Sequence, residues 1–276
     1  MDVGTGSPRA GAALPRRRPR ALDASLAWHA LMGAGCLLAP QAWPWWLGGV
    51  AANHALLTTA GLLPRSSLLG PNITRLPPTD GAGRIALTFD DGPNPELTPF
   101  VLEQLAACGA RASFFCIGER LQAHPQLARR IVEQGHTIEN HTQRHRHTFA
   151  FLGSGALRRE IDAAQRSIAA AVGEAPRFFR APAGLRNPLL EPVLASLNLR
   201  LAAWTRRGFD TVEGRPDTVY RKLARNLAAG DILLLHDGHC ARDAHGRPVL
   251  FEVLPRLLAR IDELRLQAVT LREAIR

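Results

Sequence analysis

Residues 85–93 read IALTFDDGP, a short apolar run that stops at two carboxylates and a Gly-Pro turn. A run of this length, bounded by turn residues, is typical of a buried strand. The next segments predict a helix over 95–107 and a second strand over 112–117. The order strand, helix, strand indicates parallel strands joined by crossover helices.

The same alternation continues to the end of the chain. Further helices are predicted over 119–134 and 155–172 and after Pro188, Pro216 and Val249. Further strands are predicted at 137–139, near Phe178, at 200–204, at 232–235 and at 268–271. The number of units and the length of residues 84–276 predict one α/β domain, a distorted (β/α) barrel of about seven parallel strands. Chemistry in a barrel occurs where strands end, so polar residues after apolar runs are the candidates for function.

A basic tail and two apolar stretches precede this domain. Residues 1–21 are rich in Gly, Pro and Arg and predict a disordered tail. Residues 22–64 contain one charged side chain, Asp23, and form two stretches about as long as a hydrocarbon core of roughly 30 Å requires. We therefore predict a pair of apolar, transmembrane helices that form a hairpin anchor. Residues 65–83, rich in Pro, Ser, Gly and Asn, predict a linker.

Other interpretations of residues 22–64 remain open. A cleaved signal peptide would be followed by polar sequence, whereas a second apolar stretch follows here. A single anchor would place the domain outside, whereas a hairpin returns the chain to its starting side, with basic residues on both flanks. Two buried or interfacial helices would better accommodate His29, Asn53 and His54, because polar side chains are costly in lipid unless they are paired.

The net charge of +10 favours anionic partners but does not identify one. The arginines are spread along helix-like segments and no aromatic stacking platform accompanies them, so we expect no nucleic acid partner. The four cysteines lack the paired spacing of a zinc knuckle or a disulfide framework.

Polar side chains follow the first and third predicted strands. Asp90 and Asp91 end the first, and His141 and His145 follow the third. Two histidines four residues apart can approach one metal ion from a single turn, and a carboxylate can complete a three-ligand site with an open position. Asp91, His141 and His145 are therefore candidate metal ligands. A solvated Asp-Asp turn and ordinary surface histidines are the alternatives.

Two further polar residues follow later apolar segments. Arg180 could hold Asp90 ionised and oriented, as a general base requires, or could be an ordinary loop arginine. His236 ends the most apolar strand and is either a core residue or an acid-base group.

Four motifs in a fixed order give the sequence a family resemblance. They are TFDDGP at 88–93, HTQRH at 141–145, RAPAG at 180–184 and LLHD at 234–237. From residue 84 to the C-terminus the chain resembles the polysaccharide deacetylase family, also called the NodB homology domain or carbohydrate esterase family four. The resemblance implies a distorted barrel with one divalent metal ion, commonly zinc. It implies a hydrolase in which a metal-bound water removes an N-acyl group, acetyl or formyl, from an amino sugar.

The resemblance also assigns roles. The family's metal-ligand positions are matched by Asp91, His141 and His145. Its other functional positions are matched by Asp90 as base, Arg180 as the residue that orients the base, His236 as acid, Asp210 as the carboxylate that tunes the acid, and the backbone N–H of Ala183 as an oxyanion donor.

Three positions depart from the family pattern. Ala183 and Thr211 stand where the family often has an aromatic residue and a tryptophan, and Arg146 replaces a proline. All catalytic side-chain types remain, so we expect an active enzyme with an altered substrate pocket.

Basic residues near the strand ends suggest the substrate. Arg144, Arg146, Arg206 and Arg207, together with the apolar segment, predict a lipid-linked or phosphate-bearing amino sugar. The domain would then lie on the cytoplasmic face of a bacterial inner membrane. The alternatives are a deacetylase of cell-wall or exopolysaccharide glycan outside the membrane, and a non-catalytic carbohydrate-binding protein of the same fold.

Overall fold

In the computed structural model, two helices precede an α/β domain. The structure describes residues 19–79, 81 and 83–275. Most of the predicted basic tail, residues 1–18, lies outside the described residues. The strands are β1 Arg84–Asp90, β2 Ala112–Cys116, β3 Thr137–Asn140, β4 Phe178–Phe179, β5 Arg200–Leu201, β6 Arg206–Arg207, β7 Ile232–His236 and β8 Gln267–Ala268. The helices are α1 Arg20–Leu38, α2 Trp43–Leu62, α3 Leu97–Ala107, α4 Gly118–Ala123, α5 Pro125–Glu133, α6 Ser154–Val172, α7 Leu190–Ser196, α8 Pro216–Ala224, α9 Leu250–Glu263 and α10 Leu271–Ala274.

The sheet is parallel and curled. Its order is β5-β4-β3-β2-β1-β7-β6, and β8 pairs with the start of β1. The α/β class and the seven parallel strands are thereby confirmed, but the strands form a half-barrel. Within the described part of the chain, β5 and β6 do not pair with each other. The segment after α2 lies near this opening, where Ile73 hydrogen-bonds to Leu201 and Ala203, and Leu76 hydrogen-bonds to Gly230.

Four details of the predicted elements were wrong, one of them the strand predicted at 200–204, which ends at Leu201. The helix predicted over 119–134 is divided into α4 and α5 at His124, because a residue before proline is driven out of the helical region. The strand β6 was not predicted. The last strand is shorter than 268–271, because a capping box between Thr270 and Glu273 starts α10.

Alternation along β1 positions the site. Ile85, Leu87 and Phe89 point outward into the core shared with the helices of the domain. Ala86 belongs to the second core cluster, inside the curl of the sheet. Successive side chains of a strand alternate between its faces, so Asp90 ends the inward-facing series at the carboxyl edge of the sheet.

The N-terminal helices expose much of their apolar surface. Leu37, Leu38 and Trp45 are each more than 80% exposed. Among the described residues, only α1 is long and apolar enough to be a candidate membrane span. The prediction of two transmembrane helices was therefore wrong by this measure. The polar side chains of Asn53 and His54, and the tryptophans at its start, reduce the hydropathy of α2.

The end of α2 packs closely on the domain. The backbone N–H of Arg186 donates to the carbonyl of Gly61 at 3.1 Å. A Cβ atom on Gly61 would overlap the carbonyl oxygen of Arg186. Leu57 and Leu69 are buried together beside this contact.

We expect Gly61→Ala to weaken this packing. The added methyl must displace α2 or the Arg186 backbone, which should lower the free energy of unfolding by about 1–3 kcal/mol. Gly33→Ala in α1 is the matched control, since a Cβ there meets no atom within 4 Å and should gain up to about 1 kcal/mol of helix propensity. Thermal unfolding of both full-length variants in mild detergent measures the difference. Equal stability of the two would show that α2 does not pack here.

Candidate active site

Asp91, His141 and His145 converge at the carboxyl edge of the sheet. The Oδ1 atom of Asp91 lies 3.4 Å from Nε2 of His141 and 3.2 Å from Nε2 of His145. One ligand atom from each residue lies within 4.8 Å of the others. Asp91 and His145 have positive φ angles of 71° and 49°, a backbone region that non-glycine residues rarely adopt and that is concentrated at functional sites.

The chemistry of these three side chains fits a divalent metal ion. Oδ1 of Asp91 is buried and has no hydrogen-bond partner among the described residues. Nδ1 of His141 lies 2.8 Å from the carbonyl oxygen of Arg180, and this contact turns Nε2 toward Asp91. Burial and the neighbouring His141 lower the pKa of His145 to about 4, so its imidazole is neutral and can act as a ligand. Burial would raise the pKa of Asp91, but the histidines hold it well below its usual range.

Asp90 lies beside this group and is held by Arg180. Nη1 of Arg180 donates to Oδ1 of Asp90 at 2.6 Å and to the hydroxyl of Thr88 at 2.8 Å. Its Nε and Nη2 atoms donate to the carbonyls of Ala202 and Ala203. Arg180 and Asp90 are both buried. Each of the three guanidinium nitrogens thus donates a hydrogen bond, and the fixed guanidinium orients the carboxylate.

His236 ends β7 in register with Asp90. Its Nδ1 lies 2.9 Å from Oδ1 of Asp210, and its backbone N–H donates to Oδ2 of the same carboxylate at 2.8 Å. Burial alone would lower the pKa of His236. The charge and hydrogen bond of Asp210, with the charges of Asp90 and Asp91, instead raise the pKa to about 9. The imidazole is therefore protonated at neutral pH and can donate a proton.

Two glycines, in the turns after β1 and β7, are required by close contacts. A Cβ on Gly92 would overlap the Asp237 carboxylate, and a Cβ on Gly238 would overlap the carbonyl of Asp91. The turns after β1 and β7 therefore approach each other so closely that only glycine fits. This contact keeps Asp90, Asp91 and His236 together.

One pocket of about 230 Å³ opens over these side chains. It is lined by Asp90, Asp91, His141, His145, His147, Ala183, Gly184, Trp204, Arg207, Thr211, Val212, Leu234, His236 and His239. The structure thus brings Asp90, the three candidate ligands, His236 and Ala183 to one pocket, with Arg180 and Asp210 bonded to them from behind. His147, which had no assigned role, and His239, which sequence reasoning missed, also line it. The spacing of His239, three residues after His236, was the available signal.

The four arginines near the strand ends have different surroundings in the structure. Arg144 and Arg146 form ion pairs with Glu119 and Glu160, and Arg206 forms one with Asp231. Arg207 is the one of the four that lines the pocket.

The half-barrel carries a candidate metal centre, its Asp-His-His group, at the carboxyl ends of parallel strands. Residues 78–202 match the family model described as polysaccharide deacetylase. The chain is 38% identical to a chitooligosaccharide deacetylase of Sinorhizobium fredii, over 57% of this chain and 74% of the relative. It is 31% identical to a peptidoglycan-N-acetylglucosamine deacetylase of Bacillus cereus, over 70% and 88% respectively.

A solved structure agrees with these relatives. The family 4 carbohydrate esterase from Streptomyces lividans, in complex with acetate, superposes with a TM-score of 0.61 at 30% identity, over 68% of this chain and 93% of that one. The chain belongs to the polysaccharide deacetylase family. It is an enzyme of that type, a hydrolase of carbon–nitrogen bonds other than peptide bonds.

Proposed function

We propose that this protein is a metal-dependent deacetylase that removes an N-acyl group from an amino sugar. One observation carries the proposal: a buried carboxylate held by arginine, an imidazole held by a second carboxylate and a convergent Asp-His-His group meet at a single pocket. The relatives named as chitooligosaccharide and peptidoglycan deacetylases support an N-acetylglucosamine-containing substrate.

The candidate residues divide the chemistry between them. Asp91, His141 and His145 would hold the cation, and we propose zinc, because two imidazoles and one carboxylate with an open position are a typical zinc set. When bound, the ion would polarise the amide carbonyl and lower the pKa of a water molecule. Asp90, oriented by Arg180, accepts the proton of the attacking water.

The collapse of the tetrahedral species requires an acid and an oxyanion donor. His236 donates its proton to the amine nitrogen as the carbon–nitrogen bond breaks, and Asp210 stabilises the protonated imidazole. The backbone N–H of Ala183, in the tight turn after β4 that lines the pocket, would donate to the oxyanion. The products are a carboxylic acid and the free amino sugar.

The protonation state of His236 predicts the alkaline limb of the pH profile. The acid form is required, so kcat should fall as pH rises through about 9. Asp210→Asn removes the carboxylate that stabilises the imidazolium and should move this limb down by about 2 pH units, toward the ordinary histidine pKa of about 6.5. The profile of kcat against pH measures both. An unchanged limb in the variant would mean that another group is the acid.

We further propose that the enzyme is membrane-associated, with the domain on the cytoplasmic face, and that its substrate is lipid-linked. Polar side chains of the N-terminal helices pair with each other: Nε2 of His29 lies 3.2 Å from Nε2 of His54, and Asn53 donates to Ser25 at 2.8 Å. Such pairing reduces the cost of placing them in lipid. A Cβ on Gly184, which lines the pocket, would lie 2.7 Å from Pro64 just after α2.

The contact between Gly184 and Pro64 supports a short distance between the membrane and the pocket. The helices cannot move far from the turn that contains Gly184 without breaking it, so a substrate with a lipid anchor would reach the pocket from nearby. A second candidate function is deacetylation of cell-wall glycan outside the membrane. The presence of one candidate span among the described residues, and the peptidoglycan deacetylase relatives, favour it. A reporter fused to the C-terminus and active only outside the cell would exclude the cytoplasmic location.

The proposal is tested by acid release from three substrates. Full-length protein with measured metal content is incubated with N-acetylated chitooligosaccharide, peptidoglycan and an N-acylated lipid-linked amino sugar. We expect about one metal ion per chain and release of acid from at least one substrate. Metal binding without turnover on any of them would contradict the deacetylase activity. Turnover of the soluble oligosaccharide alone would contradict the lipid-linked substrate.

A further inference from the structure

Arg207 is the cation of the pocket that has no polar partner. Its side chain makes no hydrogen bond and no ion pair with any other residue in the described part of the chain, and its Nε atom is buried and unpaired. A buried donor without a partner is unfavourable unless a ligand or water satisfies it. Arg206, the preceding residue, has its guanidinium bound by Asp231 and by two backbone carbonyls.

Strand pairing places Arg207 on the same face as the candidate catalytic groups. Arg207 is in register with Leu234 of β7, and Leu234 is in register with Thr88 of β1. Side chains in register on neighbouring strands share a face, and so do residues two apart on one strand. Arg207 therefore lies one strand from His236 and about 7 Å further down the sheet, a distance that an arginine side chain can span.

Aromatic rings hold the guanidinium in place. Its Cζ atom lies 4.8 Å from the ring centroid of Phe209 and 5.6 Å from that of Trp204. These cation–π contacts occupy none of the N–H groups in a hydrogen bond, so the N–H groups stay available for an oxyanion. An arginine held in this way loses little conformational freedom when it binds a planar pair of oxygen atoms.

The charge of Arg207 is not neutralised by the carboxylates of the site. Asp90 is paired with Arg180, and Asp210 is paired with His236 behind the pocket wall. Asp91 faces the two candidate ligand histidines. An anionic group of a substrate can therefore pair with Arg207 without displacing an existing ion pair.

We propose that Arg207 binds an oxyanion on the amino-sugar substrate, either a phosphate ester or a carboxylate. This inference rests on the proposed function and narrows its substrate class to acidic acylated sugars. Both oxyanions offer the paired oxygen atoms that a guanidinium binds through two parallel hydrogen bonds. The sugar would lie with its N-acyl group toward Asp91 and His236 and its acidic group toward Arg207.

Three small sugars test the proposal on the full-length, metal-loaded protein. They are the neutral methyl glycoside of N-acetylglucosamine, N-acetylglucosamine 1-phosphate and N-acetylmuramic acid, whose acid group is a carboxylate. Values of kcat/KM are measured for the wild type, Arg207→Gln, Arg207→Lys and the control Arg166→Gln, which changes an exposed arginine of α6. Binding of each sugar is measured by calorimetry in parallel, so that slow turnover of small sugars still gives a result.

We expect Arg207→Gln to lower kcat/KM and affinity for one or both acidic sugars by about 10- to 100-fold, and for the neutral sugar by less than about threefold. The acidic sugar that loses more identifies the oxyanion. Arg207→Lys should restore part of the preference, since it keeps the charge without the paired donors. Arg166→Gln should leave all three unchanged.

Two results would overturn the proposal. An equal loss on acidic and neutral sugars would assign Arg207 to packing against Trp204 and Phe209, and no loss on any sugar would remove it from the site. Failure of the proposed deacetylase activity would give a different result from failure of the Arg207 proposal. The wild type would then bind the acidic sugars through Arg207 but release no acid from these sugars or from the three larger substrates.

Discussion

Replacing Asp90 by asparagine is expected to lower kcat by about 10²- to 10⁴-fold and to leave the metal content unchanged. The amide has nearly the shape of the carboxylate but cannot accept the proton of the attacking water. Arg180 keeps its hydrogen bonds to Thr88, Ala202 and Ala203, so the site should stay assembled. Steady-state kinetics on an N-acetylated chitooligosaccharide and metal analysis of the same preparation measure both quantities.

The control is a buried carboxylate paired with arginine at the opposite end of the sheet. Asp231, just before β7, is fully buried and pairs with Arg75 and Arg206. Asp231→Asn should destabilise the protein, because two arginines lose their partner, yet it should leave kcat within about threefold. If Asp90→Asn and Asp231→Asn reduce kcat equally, the loss comes from stability, and Asp90 is not the base.

The apolar runs made the centre of the sheet predictable. The strands β2 and β7 are buried throughout, and β1 is buried after Arg84, so their sequences are almost continuously apolar and stop where polar side chains begin. Because parallel strands bring their carboxyl ends to one edge, residues far apart in the chain, such as Asp90 and His236, could be expected to meet. The strand register that places Asp90 beside His236 could not be read from the sequence.

The edge strand β6 was not predictable in the same way. It consists of Arg206 and Arg207, which have no apolar signal, and it is defined only by its pairing with β7. That register decides which arginine faces the pocket and which faces Asp231. The segment around Ile73 is similar, since its composition predicts a linker while its backbone groups bond to the sheet.

The N-terminal helices show a limit of predicting membrane spans from hydropathy. Length and composition predicted two helices correctly, but the same polar residues that reduce the hydropathy of α2 pair with residues of α1. A hydropathy scale applied to one helix at a time gives Asn53 and His54 their full polar value, as if they had no partner. Only the packing of the two helices shows which partners reduce that cost.

The loss of a proposed metal ligand, His141, should have the other large effect. We expect His141→Ala to lower kcat/KM by about 10³-fold or more. The ion that we propose would supply several kcal/mol of transition-state stabilisation by polarising the carbonyl and activating water, and the variant would lose it. The variant should also retain far less than one metal ion per chain after dialysis. Element analysis and kinetics on the same samples measure both.

A measurement independent of activity separates metal binding from catalysis. A ligand that binds only the folded state stabilises that state, and the stabilisation increases with the logarithm of free ligand concentration above Kd. Added zinc should therefore raise the Tm of the chelator-treated wild type and leave that of His141→Ala unchanged. His147→Ala is the matched control, because His147 lines the same pocket but does not belong to the group of ligand atoms, and its Tm should still respond to zinc. If His141→Ala responds like the wild type, the ion binds elsewhere, and Asp91, His141 and His145 are not its ligands.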